Sequence, residues 1–489
     1  MNTTGIRLVV RDWGPIREGS VEVKPLTIFV GPNNTGKSYL AMLLYALTLA
    51  FNKSSYEVGK IVLENEALED ELFKVVDPYL KGEITADDFA ERLSHVFSDI
   101  LTQEFAESLP RLLAEELERV YSSKIEELVR LGAAKACVGL EVDNPRAGLS
   151  MLFTVTRDGE LKIEKFKLYI KPALIENILP SPSLLDRVKL LEKSRAVARS
   201  ELASLLGSIA LRLMFEGTLS KELFGSGVHY LPASRAGILH SYGSVAKALI
   251  SLASLAPIRG VEVPGMPGVL ADFLGELILM STGSRRREVA IESVAKSLEE
   301  EILEGEVALS RRLPGAPPTL VFRFSGGELP VARVSSMIAE AAPLAILLKY
   351  GSVKPGDTLI LEEPEAHLHP DKQARLAELL ARLVNEAGMR LLITTHSDIL
   401  LARLSNLVSL SAIPSQEAEK LGYRPSTALS PEKVSVYSFE PGPGGVTVAP
   451  IEVTHEGIPD DVFLKILENL YEETLNLYYR LQEVRGSAR

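Results

Sequence analysis

Gly31-Pro32-Asn33-Asn34-Thr35-Gly36-Lys37-Ser38 follows the apolar, β-branched run Leu26–Val30 and opens a helical pattern at Tyr39. A G-x-x-x-x-G-K-S spacing between strand and helix makes a loop whose successive N–H groups converge on one anion. Gly31 and Gly36 let the backbone curl, and the helix N-terminus adds partial positive charge. Lys37 is then placed to reach the β- and γ-phosphates of a nucleoside triphosphate, and the Ser38 hydroxyl to ligate Mg2+. Asn33, Asn34 and Thr35 fall within the same cradle.

A bound triphosphate is hydrolysed only if a second strand holds the metal, a group polarises water and another senses the γ-phosphate. LILEEPEAHLHP, from Leu359 to Pro370, offers the first two. Glu362 closes an apolar strand and is expected in the Mg2+ shell; Glu363, just past the strand end, is expected to orient or deprotonate water. Two carboxylates so close are tolerable because a cation offsets their repulsion. His396, in TTHSD at the end of the next strand, is the expected γ-phosphate donor. Trp13, the only tryptophan, has two readings, a ring stacked on adenine or a hydrophobic anchor under the sheet.

Elements must position these residues across a long chain. Its 489 residues exceed one ordinary core, so several domains or one domain with a large insertion are expected. Residues 6–30 read as short strands separated by turn residues, and 1–50 as the first part of a core. Residues 51–227 read as a mostly helical, acidic insertion, interrupted near 140–170 by a β-hairpin turning at Asp158-Gly159. In 228–455, the buried strands VHYL, TLILEE and LLITT alternate with helices, the mark of a parallel sheet covered on both faces. Residues 456–489 end in an amphipathic helix. The fold expected is α/β, with a mainly parallel core sheet, an antiparallel β subdomain and a large helical insertion.

Bulk properties narrow the partners. A formal net charge of −12 argues against a uniformly cationic nucleic-acid coat and leaves only local basic runs, Arg285–Arg287 and Arg311–Arg312. The single cysteine, Cys137, fits a reducing compartment and a packing role. With no signal-peptide layout and no apolar run of the ~20 residues a bilayer requires, a cytoplasmic protein without a membrane partner is expected.

Together these residues resemble the ATP-binding cassette (ABC) ATPases. The likeness is to the soluble AAA-labelled branch with the SMC, RecF-like and OLD-type proteins. It covers the first 50 residues and roughly 228–460. GPNNTGKS resembles Walker A, LILEEPEAHLHP resembles Walker B with the D-loop region, and TTHSD resembles the switch-histidine segment. The resemblance implies ATP and Mg2+ as ligands, and a signature element that contacts ATP held by a second copy. SGGE, Ser325 to Glu328, looks superficially like a signature core but sits where a hairpin turn demands Gly-Gly. Ser335 and Ser336, directly before a helix, are the candidates instead, although Met337 stands where the family usually has Gly. No glutamine fits the Q-loop. Ser234 and Arg235 in YLPASRAGI resemble a segment of the same branch and are expected to approach the nucleotide or relay its state. EAHLHP matches the D-loop surroundings, so Glu365, His367 and His369 are not read as a zinc site.

The stretch after His396 has room for a hairpin and one helix, too little for a TOPRIM nuclease domain. Asp460 and Asp461 suit a helix start better than a metal pair, and the long heptad arms of SMC proteins are missing. The leading expectation is a stand-alone Mg-dependent ATPase that dimerises around two ATP molecules. By resemblance it works with DNA or a nuclease subunit in DNA repair or anti-phage defence. The alternative is a low-turnover ATP switch that regulates a protein partner and does not bind DNA.

Overall fold

The computed structural model describes residues 5–64, 71, 74–75, 77–79, 81–178, 218–233, 235–240, 266–279, 288–310, 319–351, 353–459 and 465–487. Strands β1 (Gly5–Trp13), β2 (Ile16–Val23) and β3 (Leu26–Val30) lead into helix α1 (Lys37–Glu64). Helix α2 (Ala86–Tyr121) follows, its start fixed by a Thr85/Asp88 capping box. A meander of β4 (Lys135–Asp143), β5 (Ala147–Thr156) and β6 (Leu161–Ile170) comes next, then β7 (Val228–Leu231), α3 (Gly268–Leu279), α4 (Val289–Ser297), β8 (Glu306–Ser310), β9 (Thr319–Phe324) and β10 (Gly327–Pro330). The chain continues through α5 (Ser336–Tyr350), β11 (Thr358–Glu362), α6 (Pro370–Glu386), β12 (Arg390–Thr395), α7 (Asp398–Ser409), β13 (Val434–Gly442), β14 (Gly445–Ile451) and α8 (Lys465–Ser487).

Among the described residues one sheet runs in the order β6-β5-β4-β1-β2-β14-β13-β3-β12-β11-β7. Its β13-β3-β12-β11-β7 portion is parallel, and its β6-β5-β4-β1-β2 portion antiparallel. The expected α/β class, with a parallel core and an antiparallel subdomain, is what the chain adopts. Strand alternation builds two cores. Phe29, Ile360 and Leu392 face a cluster with α1 and α2, whereas Ile28, Leu361 and Ile393 face one with α4 to α7.

The segment 51–227 differs from a helical insertion in one respect. Its β4 lies along β1, with Leu8 opposite Leu140 and Val10 opposite Val138, so the meander extends the main sheet. The expected hairpin is three strands. The physical reason is β1 itself: Ile6, Leu8 and Val10 point into the core, and its second edge needs an equally alternating partner, which arrives from far along the chain. The SGGE turn joins β9 to β10 in a separate small sheet with β8, as its hairpin reading requires.

Candidate functional site

The parallel register brings three strand ends together. Val30 pairs with Thr395 and Glu362 with Thr394, so the loop after β3, the carboxylates after β11 and His396 after β12 leave the sheet at one level. Ligand crevices of parallel α/β sheets lie at such carboxyl ends.

Gly31 and Gly36 take φ of 138° and 94°, and Asn34 takes 61°, which curls residues 31–36 ahead of α1. A Cβ on Gly31 would stand 2.8 Å from the Phe439 carbonyl oxygen, and one on Gly36 2.8 Å from Pro15. Lys37 is buried and folded back, its Nζ donating to the carbonyls of Gly31 at 2.9 Å and Pro32 at 2.8 Å. The Thr35 hydroxyl donates to Pro32 at 2.8 Å and braces the same turn. Burial pulls the Lys37 ammonium below its usual range, opposed by Glu363 and then Glu365. Asn33 and Asn34 are exposed on the rim, and Ser38 is half-buried in the first turn of α1.

Glu362 and Glu363 are held differently. Glu362 is buried; its Oε1 accepts from the Tyr230 hydroxyl at 2.6 Å and its Oε2 from the Ala233 N–H at 2.9 Å. Glu363 turns out of the strand with φ 42°, its N–H donating to the Thr394 carbonyl at 2.9 Å, and its carboxylate stays accessible. Its Oε1 lies 3.8 Å from His396 Nε2. Burial, and next the charge of Lys37, lower the His396 pKa while Glu363 opposes them, which favours the neutral imidazole.

Glu365 is the residue that sequence reasoning undervalued. Its Oε1 accepts from the Thr395 hydroxyl at 2.6 Å and from the His396 N–H at 3.1 Å, fixing the strand end that carries His396. Its Oε2 is buried without a hydrogen-bond partner, and burial raises its pKa, seconded by the charge of Glu363. Only its place three residues after Glu362 could have marked it. Tyr230, the other overlooked partner, carries no local signal, because its role comes from pairing β7 with β11.

Arg235, expected to approach the nucleotide or relay its state, is turned inward onto the Glu362-Glu363 turn. Only 2% exposed, it donates from Nη1 to the carbonyls of Glu362 at 2.6 Å and Pro232 at 3.1 Å, and from Nη2 to that of Glu363 at 2.9 Å. Its Nε donates to the Glu340 carbonyl at 2.9 Å, with the Glu340 carboxylate 3.4 Å away. It therefore clamps the Glu362-Glu363 turn to α5. Ser335 caps α5, its hydroxyl accepting from the Ile338 N–H, and both Ser335 and Ser336 are exposed. Helix α5 packs in the core on the sheet face opposite α1.

Trp13 must be removed from the nucleotide-binding set. It is fully buried, edge-on to Tyr121 and Phe153, and its Nε1 donates to the Tyr121 hydroxyl at 3.1 Å. A ring covered on all sides offers no face to adenine. Ser234, Arg285–Arg287, Arg311–Arg312, Asp460 and Asp461 lie outside the described residues. Among the described residues, no helix is long and apolar enough to cross a membrane.

Residues 281–401 match the family model described as an AAA ATPase domain. The chain thus carries a stretch similar to an AAA ATPase domain. The matched stretch holds Ser335, Ser336, Glu362, Glu363 and His396, and stops short of the phosphate loop. Three solved structures are similar to the chain at low identity. An SMC head bound to the C-winged helix domain of ScpA is 11% identical, with 91% of this chain and 97% of that one covered and a TM-score of 0.39. The SMC head domain from Thermotoga maritima is 11% identical, with coverage of 91% and 98% and a TM-score of 0.35. An Smc head with an extended coiled coil, bound to the C-terminal domain of ScpA and derived from Pyrococcus furiosus, is 13% identical, with coverage of 96% and 99% and a TM-score of 0.37. No curated protein matches the chain.

Proposed function

We propose that the ATPase domain binds ATP with Mg2+ at Gly31–Ser38 and hydrolyses it with Glu363 and His396. The observation that carries this reading is their convergence: Glu363 stands 3.8 Å from His396, the charge of Glu363 bears on the buried Lys37, and the charge of Lys37 bears on His396. In this reading Lys37 exchanges its loop carbonyls for phosphate oxygens. Glu363, accessible and not bound by Arg235 through its side chain, orients the attacking water, and the neutral His396 donates to the γ-phosphate.

The donor set fits a hard divalent cation, since Ser38, Glu362 and Glu363 offer oxygens, and the buried Oε2 of Glu365 has no hydrogen-bond partner. Ser38 and Glu362 would hold Mg2+, which supplies charge neutralisation on the phosphates. Glu362 keeps a second lone pair on each oxygen after its bonds to Tyr230 and Ala233.

Two copies closing around two ATP molecules would use the exposed Ser335-Ser336 start of α5 against the partner's nucleotide, hydroxyls and N–H groups together. A cytoplasmic setting and a DNA or nuclease partner in repair or phage defence complete the proposal, supported by the resemblance of the motifs. The experiment is the mass of Glu363→Gln protein in saturating Mg-ATP, at a dilution where the nucleotide-free protein is monomeric. A dimer retaining ATP supports the reading, and a monomer refutes the closure.

A further inference from the structure

Helix α8 is clothed in apolar side chains that the rest of the described chain leaves in water. Leu470, Tyr471, Leu477, Tyr478 and Leu481 are 53%, 66%, 58%, 56% and 58% exposed. Scattered surface leucines need no explanation, but this many on little more than three helical turns form a continuous patch. Leu470, Thr474, Leu477 and Leu481 follow one another at spacings of four, three and four, the seam of a coiled coil. Leu475 and Tyr479 fall outside it.

We propose that α8 pairs antiparallel with α8 of a second copy of this chain, joining two chains without nucleotide. The seam is self-complementary about a two-fold axis between residues 475 and 476. Leu470 then meets the second copy's Leu481, and Thr474 meets its Leu477, each twice. The same register sets Tyr471 beside Tyr478 on one flank. On the other it sets Glu473 beside Arg480, an opposite-charge pair, again twice. A self-matching patch with complementary charge is the signature of an isologous contact. The pairing goes beyond ATP-driven closure: it keeps two ATPase domains at an effective concentration on the order of millimolar, so that closure becomes an intramolecular step.

Sedimentation velocity of the full chain, free of nucleotide, tests this. The expected result is a concentration-dependent dimer that Leu470→Glu with Leu477→Glu converts to monomer while circular dichroism and Tm stay unchanged. Glu473→Arg alone should weaken the dimer about tenfold, and adding Arg480→Glu should restore it. Lys37→Ala, which removes nucleotide closure, should leave the dimer intact. A monomeric wild type, a dimer indifferent to the two glutamates, or glutamates that lower Tm at unchanged mass would overturn the proposal. In the last case α8 packs on its own chain. If the nucleotide-free dimer is missing while Glu363→Gln still dimerises in ATP, this pairing fails and the ATP reading stands.

Discussion

Glu363 occupies the left-handed region at φ 42°, a conformation that costs a non-glycine residue on the order of 1–3 kcal/mol. The cost is met by the Thr394 carbonyl, which accepts the Glu363 N–H, and by Arg235, which donates to the Glu363 carbonyl. The carboxylate is thus aimed by backbone bonds and not by its own contacts. Trp13 is the converse, a side chain whose every face is used for packing. Trp13→Phe should lower stability by about 1 kcal/mol through loss of the bond to Tyr121. ATP affinity, followed by calorimetry, should stay within about twofold; a tenfold loss would reinstate the adenine role.

At the scale of elements, two buried charges tie strands to helices. Arg235 joins the end of β11 to α5 and leaves Glu340 buried beside it. Arg235→Ala should destabilise the fold by about 3–5 kcal/mol in urea titration, because an uncompensated buried carboxylate remains. An effect below about 1 kcal/mol would show that the clamp is dispensable. The other charge lies at the opposite end of the parallel strands. His229 on β7 contacts Glu276 of α3 at 2.9 Å and Asp357, just before β11, at 3.1 Å. Burial disfavours its charge, but the hydrogen bonds and charges of Asp357 and Glu276 prevail and raise its pKa to about 9. Its contribution is therefore fully present below the unfolded pKa near 6.5 and is lost as pH rises through about 9, worth about 3 kcal/mol. Unfolding free energy measured across that window should fall in the wild type and flatten in His229→Asn; equal slopes would refute the assignment.

Across the whole molecule, what the chain discloses locally is its period and its strand ends. The loop Gly31–Ser38, the strand ending in Glu362 and the strand before His396 are legible because each is a contiguous pattern with its own chemistry. Their alignment at one level follows from parallel pairing of short buried strands. What stayed hidden depends on residues far apart in the chain. Nothing near β1 announces that residues 135–143 will lie along it, and nothing near Tyr230 announces the Glu362 carboxylate. Trp13 was undecided for the same reason, since its neighbours Tyr121 and Phe153 come from α2 and β5. Glu365 was visible as a carboxylate, but its bonds to Thr395 and His396 exist only once β11 and β12 pair.

The central claim is that Lys37, Glu363 and His396 form a hydrolytic site. Steady-state phosphate release from ATP, with and without Mg2+, for wild type beside Glu363→Gln addresses it most directly. The account predicts Mg2+-dependent turnover that falls on the order of 10²-fold or more in the variant, with ATP affinity retained. Equal release by the two proteins, or none above background from the wild type, would contradict it.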